Sequence, residues 1–225
     1  MDAYQQVIST IALTMGAAWA SGINLYATIA VLGILGATGN VTLPEQLLVL
    51  QTPLVIACAS LMYLVEFFAD KTPGVDTGWD TIHTFIRIPA GVILAAGLVG
   101  DVSPALVVAA GIMGGAVSAT SHMVKAGSRV LINTSPEPFT NWTASIVEDV
   151  VVVGGIFTAL HYPLVFIVLF IGFIVLAIWL LPKIWRALKF LFAKLTSIFS
   201  TDSRSVSYQQ IEEQTRSDRD THATQ

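Results

Sequence analysis

Two sets of ionisable side chains interrupt an otherwise apolar sequence. Asp76, Asp80, His83 and Arg87 fall at i, i+4, i+7 and i+11, which puts all four on one face of a helix with Ile82, Phe85 and Ile86 opposite. Ser118, His122, Lys125 and Arg129 repeat that spacing on a second helix. Nearby stand Glu66 and Asp70, one helical turn apart, and the adjacent Glu148 and Asp149. Two chemistries fit these residue types. Glu66, Asp70, Glu148 and Asp149 could carry protons or a cation, because a carboxylate withdrawn from water can change its protonation near neutral pH. Lys125 and Arg129, with His122, could instead hold an anionic or phosphate-bearing small molecule, since a guanidinium offers a planar fork of donors. A helix break at the hydroxyl-rich run Ser118 to Ser121 would favour the anion by baring backbone N–H groups. A plainer reading needs no ligand. Residues 66 to 149 hold eight acids and four bases, so each base can have an acidic partner and the charges can simply pair.

Catalysis fits less well. Gly114-Gly115 with Ser118, Ser121 and His122 weakly resembles the serine and histidine segment of membrane lipid phosphatases, but their Arg-Pro element is missing because Ile88 follows Arg87. No Gly-x-Ser-x-Gly, His-Glu-x-x-His or phosphate-binding glycine loop occurs. A single cysteine, Cys58, in an apolar run excludes an intrachain disulfide and a cysteine-based metal cluster. The reading therefore assigns no catalytic residue, metal or cofactor.

The elements that must position these charges are membrane helices. Of 225 residues, 54% are hydrophobic and 12% charged, against about 25% charge in an ordinary soluble domain. Residues 164 to 181 are all apolar or glycine between Pro163 and Pro182, close to the length of a bilayer crossing. Apolar stretches over 7–37, 48–69, 82–118 and 144–160 make the chain an all-α, polytopic helical bundle of about six crossings. The first apolar run lacks the positive lead of a signal peptide, since no Lys or Arg precedes Lys71, and is read as a retained membrane segment.

Two of the long stretches read as broken or re-entrant helices. Ser21-Gly22-Ile23-Asn24 interrupts the first, and Gly114-Gly115 with Ser118 to His122 interrupts the stretch 103–133. Sliding one over the other sets Met15-Gly16 on Met113-Gly114 and Asn24 opposite His122. That suggests a 3+3 inverted repeat with halves 1–100 and 101–181, an architecture of transporters and channels. A six-helix bundle with polar kinks is the alternative.

After the transmembrane domain 1–181, residues 182–199 mix Lys183, Arg186, Lys189 and Lys194 with apolar side chains and read as an amphipathic basic interfacial helix. Positive-inside bias places it, and the C-terminus, in the cytoplasm. With six crossings the N-terminus would be there too. Residues 200–225, rich in Ser, Thr, Gln and charge, read as a disordered cytoplasmic tail. No dominant basic surface points to nucleic acid; the bilayer is the expected partner, and a homo-oligomer stays open.

Three segments resemble a bacterial membrane family known as domain of unknown function 4126: SGINLYATIAVLGILG from Ser21, LVEFFADKTPGVDTGWDTIHTFIRIPAG from Leu64, and SHMVKAGSRVLINTSPEPFTN from Ser121, with Glu148-Asp149 after it. The resemblance spans about residues 10 to 160 and implies a multi-pass inner (plasma) membrane protein. It marks Asn24, Glu66, Asp70, Lys71, Asp76, Asp80, His83, Arg87, Lys125, Asn133, Ser135, Glu137 and Glu148 as motif positions. Ile88 departs from it, because the family pattern often carries proline there.

The expected function is a small transporter or channel-like protein that moves an ion, small solute or lipid head group through a polar cavity. Asn24, Glu66, Asp70, Asp76, Asp80, His83, Arg87, His122, Lys125, Arg129, Glu148 and Asp149 would line its pathway. A structural scaffold with an ion-paired core is the first alternative, and a membrane lipid phosphatase the second.

Overall fold

A computed structural model describes residues 3–100, 102–134 and 138–222, with side chains of the last helix described as far as residue 191 and at residue 193. The motif positions Ser135 and Glu137 and the side chain of Lys194 lie outside the described residues. Among the described residues the chain is helical and carries no strand: α1 (Ala3–Ile23), α2 (Leu25–Ala37), a 3-10 segment (Glu45–Gln51), α3 (Pro53–Ala69), α4 (Val75–Val99), α5 (Pro104–Ile132), α6 (Pro138–His161) and α7 (Pro163–His222). Five helices are long and apolar enough to cross a membrane, six when the 3-10 segment and α3, bent by 66°, count as one span. The protein is thus a multi-pass helical membrane protein.

Prolines set the helix starts. Pro53 and Pro104 occupy first-turn positions, where a missing N–H costs nothing, and Ser103 caps α5 by accepting from the Leu106 N–H. Gly74, at φ +85, supplies the left-handed residue of the α3–α4 turn and directs its N–H to Asp76. Pro182 lies within α7, which continues as one helix through residues 182–199 and to His222. Two compact units divide this helix, residues 1–184 and 185–225. In the second, Lys189 stands 5.4 Å over the Trp185 ring.

Within the first unit, α4 and α5 run antiparallel in close contact, because glycines remove the side chains that would hold them apart. A Cβ on Gly114 would strike Ala95 Cβ, and one on Gly91 would strike Ser118. α6 continues the antiparallel order through Arg129–Glu148 and Asn133–Asn141. α7 returns to the opposite end, its Phe166 and Phe173 rings edge-on to Trp19 and its Ile184 beside Gly127 of α5.

The first apolar stretch breaks at Asn24, as its sequence suggested. α1 runs parallel to α5: Ala18 meets Gly114, Gly22 meets Ser118, and the Ile23 carbonyl meets Lys125. It ends opposite Asp149, halfway along α6. α2 then heads back, bringing Gly33 and Gly36 against Leu50 and Gln51, while Leu47 of the same 3-10 segment lies against Gly97 near the end of α4. α1 and α2 therefore form a hairpin that enters and leaves at one end of the bundle. Six candidate spans less α1 leave five crossings.

Two expectations change. Residues 114–122 form no break, since α5 is continuous from Pro104 to Ile132 and its glycines serve close packing. The segments proposed as inverted counterparts, α1 and α5, run in the same direction, opposite to what inversion requires.

Candidate functional site

The Asp, Glu, Lys and Arg side chains of α3 to α6 converge on the end of the bundle formed by the α3–α4 and α5–α6 turns. Lys125 is the centre. Its ammonium lies 2.7 Å from Asp70 Oδ2, 3.1 Å from the Ile23 carbonyl, 3.3 Å from Glu66 Oε1, 3.6 Å from Glu148 Oε2 and 3.8 Å from Asp80 Oδ1. The break at Asn24 makes the Ile23 contact available, because a helix that ends there leaves its last carbonyls free of intrahelical partners.

Two guanidiniums flank the ammonium. Arg87 donates to Asp80 Oδ1 at 2.9 Å, to Glu66 Oε1, and to His122 Nδ1 at 3.1 Å. Arg129 donates to Glu148 at 2.6 Å and to the carbonyls of Asp70 and Asn141, both at 3.1 Å. Because Arg87 donates to Nδ1 of His122, the proton of that ring sits on Nε2, which faces the Thr84 hydroxyl at 2.7 Å. Glu66, Arg87 and Arg129 are wholly buried and Lys125, Asp70, Asp80 and His122 nearly so. Even so, Glu66 Oε2, Asp70 Oδ1, Asp80 Oδ2 and the Nε atoms of both arginines have no hydrogen-bond partner among the described residues. Polar atoms in that state are rare in native interiors.

The remaining candidates surround this cage rather than enter it. Asp76 is a clasp between turns: it accepts from the Gly74 and Thr77 N–H groups and from Asn133 Nδ2 at 2.8 Å, and Asn133 in turn accepts from Asn141 at 2.7 Å. His83 fastens α4 to α2, stacked on Trp79 and 3.0 Å from the Tyr26 hydroxyl. Asn24 caps α2 through the Ala27 N–H and donates to Asp149 at 3.0 Å. Ser118 and Ser121 donate to the carbonyls of Arg87 and Trp19, both at 2.9 Å, and hold α5 against its neighbours.

Lys71, Asn133, Asn141 and Ser145 also belong to this region and were not among the pathway residues expected from sequence. Lys71 donates to Ser145 and lies 2.9 Å above the centroid of the Phe67 ring. Burial holds its ammonium below the ordinary lysine range, with Asp149 and Asp70 acting in the opposite direction. Asn133 and Asn141 flank a turn eight residues apart, a pattern with no helical periodicity to expose it. No group of three or more His, Cys, Asp and Glu suited to a metal ion occurs among the described residues.

The family described as Domain of unknown function (DUF4126) matches residues 11–183, and the chain belongs to it. No curated protein and no solved structure matches.

Proposed function

We propose that this member of the family is a small membrane transport protein, transporter or channel-like, that moves a proton or small cation through the charged cage. The observation that carries this reading is the set of carboxylate oxygens on Glu66, Asp70 and Asp80 that have no partner among the described residues, on side chains that are themselves buried. Charges that only held helices together would be satisfied by one another, since burying an unpaired polar group costs free energy. Buried ionisable residues facing a bundle interior are characteristic of ion and proton paths. A re-entrant hairpin that ends beside the cage gives the path a floor at half depth.

An anionic ligand is less well supported. α5 offers no bared N–H groups at Ser118–His122, and Lys125 and Arg129 already face carboxylates. A phosphatase is weaker still, because neither Ser118 nor Ser121 bonds to His122. The basic end of α7 begins with Lys183 and Ile184, at the end of the bundle that carries the cage. Positive-inside bias then turns the cage toward the cytoplasm of an inner (plasma) membrane.

The test is flux in proteoliposomes under opposed proton and monovalent-cation gradients. Wild-type protein should dissipate one of these gradients, and Glu66→Gln and Asp80→Asn should lose the flux while melting like wild type. Flux that survives both substitutions, or wild-type vesicles as tight as empty ones, refutes the reading.

A further inference from the structure

The basic end of α7 has no acid near it in the chain. From residue 150 to residue 201 the sequence holds no Asp or Glu, while Lys183, Arg186, Lys189 and Lys194 fall close together. The ordinary surface partner of a helical lysine, an acid three or four residues away, is therefore missing. Two of these lysines lie instead on a tryptophan one turn before them. In the first unit the Lys183 ammonium stands 3.0 Å from the centroid of the Trp179 ring. In the second the Lys189 ammonium stands over the Trp185 ring. Both lysines are exposed, and the two indoles are 59% and 60% exposed. A ring face attracts an ammonium but offers it no oxygen, so the N–H donors turned away from the ring are left for an outside acceptor.

Position decides what that acceptor is. The helix from Pro163 to Lys183 is about 30 Å long at about 1.5 Å per residue, the thickness of the hydrocarbon core. The Trp179–Lys183 pair thus stands at the edge of the hydrocarbon, where an indole fits between acyl chains and water and where lipid phosphates are the nearest oxygens. Trp185 and Lys189 repeat the pair six residues further on in the sequence. α7 is also the span least buried against the rest of the protein, so lipid contacts more than helix packing must fix its depth. A zwitterionic head group brings an ammonium of its own beside its phosphate. An anionic one brings net negative charge, which complements a segment of four bases without an acid.

We propose that the basic end of α7 is a docking surface for the phosphate-bearing head groups of anionic phospholipids, with Lys183 and Lys189 as the donors and Trp179 and Trp185 as the platforms that hold them at the interface. The surface goes beyond the transport reading and does not depend on it.

The experiment reconstitutes the full chain in phosphatidylcholine bilayers with a trace of spin-labelled phosphatidylglycerol or spin-labelled phosphatidylcholine. Electron paramagnetic resonance reads the fraction of label immobilised at the protein. Phosphatidylglycerol should associate several-fold more strongly than phosphatidylcholine, and the excess should fade in molar salt, where the screening length is about 3 Å. Lys183→Gln with Lys189→Gln should lose most of the excess and Lys183→Arg with Lys189→Arg should keep it, while all three proteins melt alike because these side chains are exposed. Trp179→Leu with Trp185→Leu should weaken the excess with both lysines in place, which a patch acting through charge alone would not do. Equal association of the two lipids with the wild-type chain overturns the proposal and leaves the basic end to an acidic protein partner. An excess that persists in the glutamine variant, or disappears from the arginine variant, also overturns it, and an excess untouched by the tryptophan replacements overturns the role given to the indoles.

Discussion

The cage sets four acids, Glu66, Asp70, Asp80 and Glu148, against three bases, Arg87, Lys125 and Arg129, and this excess makes a signed prediction about stability. Glu66→Gln keeps an oxygen where Oε1 accepts from Arg87 and Lys125, and places an amide where Oε2 has no partner. It also brings four acids against three bases to three against three. Arg129→Gln moves the balance the other way, to four against two, and strips the donor from Glu148 and from the Asp70 and Asn141 carbonyls. Removing one partner of a buried ion pair costs about 3–5 kcal/mol. Arg129→Gln should therefore lose about that much, and Glu66→Gln less than about 1 kcal/mol, within the ordinary range for a tolerated substitution. At about 2–4 °C per kcal/mol for a chain of this size, the arginine variant should melt roughly 6–20 °C below wild type. Thermal unfolding in detergent micelles reads the difference. Adding Glu148→Gln to Arg129→Gln should recover more than half of the loss, because it removes the orphaned carboxylate. Equal losses for the two single variants, or a larger one for Glu66→Gln, would refute the charge count.

Three further outcomes are expected. Gly22→Ala should destabilise by about 1–3 kcal/mol, because its Cβ would fall inside the Ser118 carbonyl and the Ser121 hydroxyl, whereas Gly154→Ala, with nothing within 4 Å, should be neutral or stabilising; melting of the pair checks this. Asn24→Ala removes the α2 cap and the bond to Asp149 and should cost about 1–2 kcal/mol in the same assay. Single cysteines at Gly39 and Val102, in a Cys58→Ser background, should react with an impermeant maleimide from one side of the membrane, and those at Thr72 and Thr134 from the other.

Much of the site was visible in the sequence because helical spacing reports which residues share a face. The four-residue and seven-residue intervals from Asp76 to Arg87 and from Ser118 to Arg129 needed no structure. What spacing cannot report is the partner across the interface. Asp80 and Arg87 enter the cage, whereas Asp76, on the same face, closes a turn and His83 bolts α4 to α2. Glycine was ambiguous for a physical reason. Both Gly22 and Gly114 permit close helix approach, but only the first is followed by Asn24, whose side chain can cap a new helix. The bend at Thr52 had a signal in Pro53 that periodicity alone passes over. The parallel course of α1 and α5 had none, since direction follows from which connection turns back inside the bundle.

The hairpin that turns at Asn24 has an electrical consequence. Moving a unit charge across the full membrane potential is worth about 2.3 kcal/mol per 100 mV. From the α3–α4 and α5–α6 turns to Lys125, the interior is lined by carboxylates, amides and guanidiniums. Beyond the hairpin tip the buried layer is apolar, with Leu32, Leu47, Leu94 and Leu98 in its core. A voltage falls mainly across the poorly polarisable layer, so the cage sits close to the potential of the compartment it faces. In the proposed transport, the field would act on a step past Leu32 and Leu94 rather than on entry to the cage, and the α1–α2 hairpin is where a membrane potential would do its work.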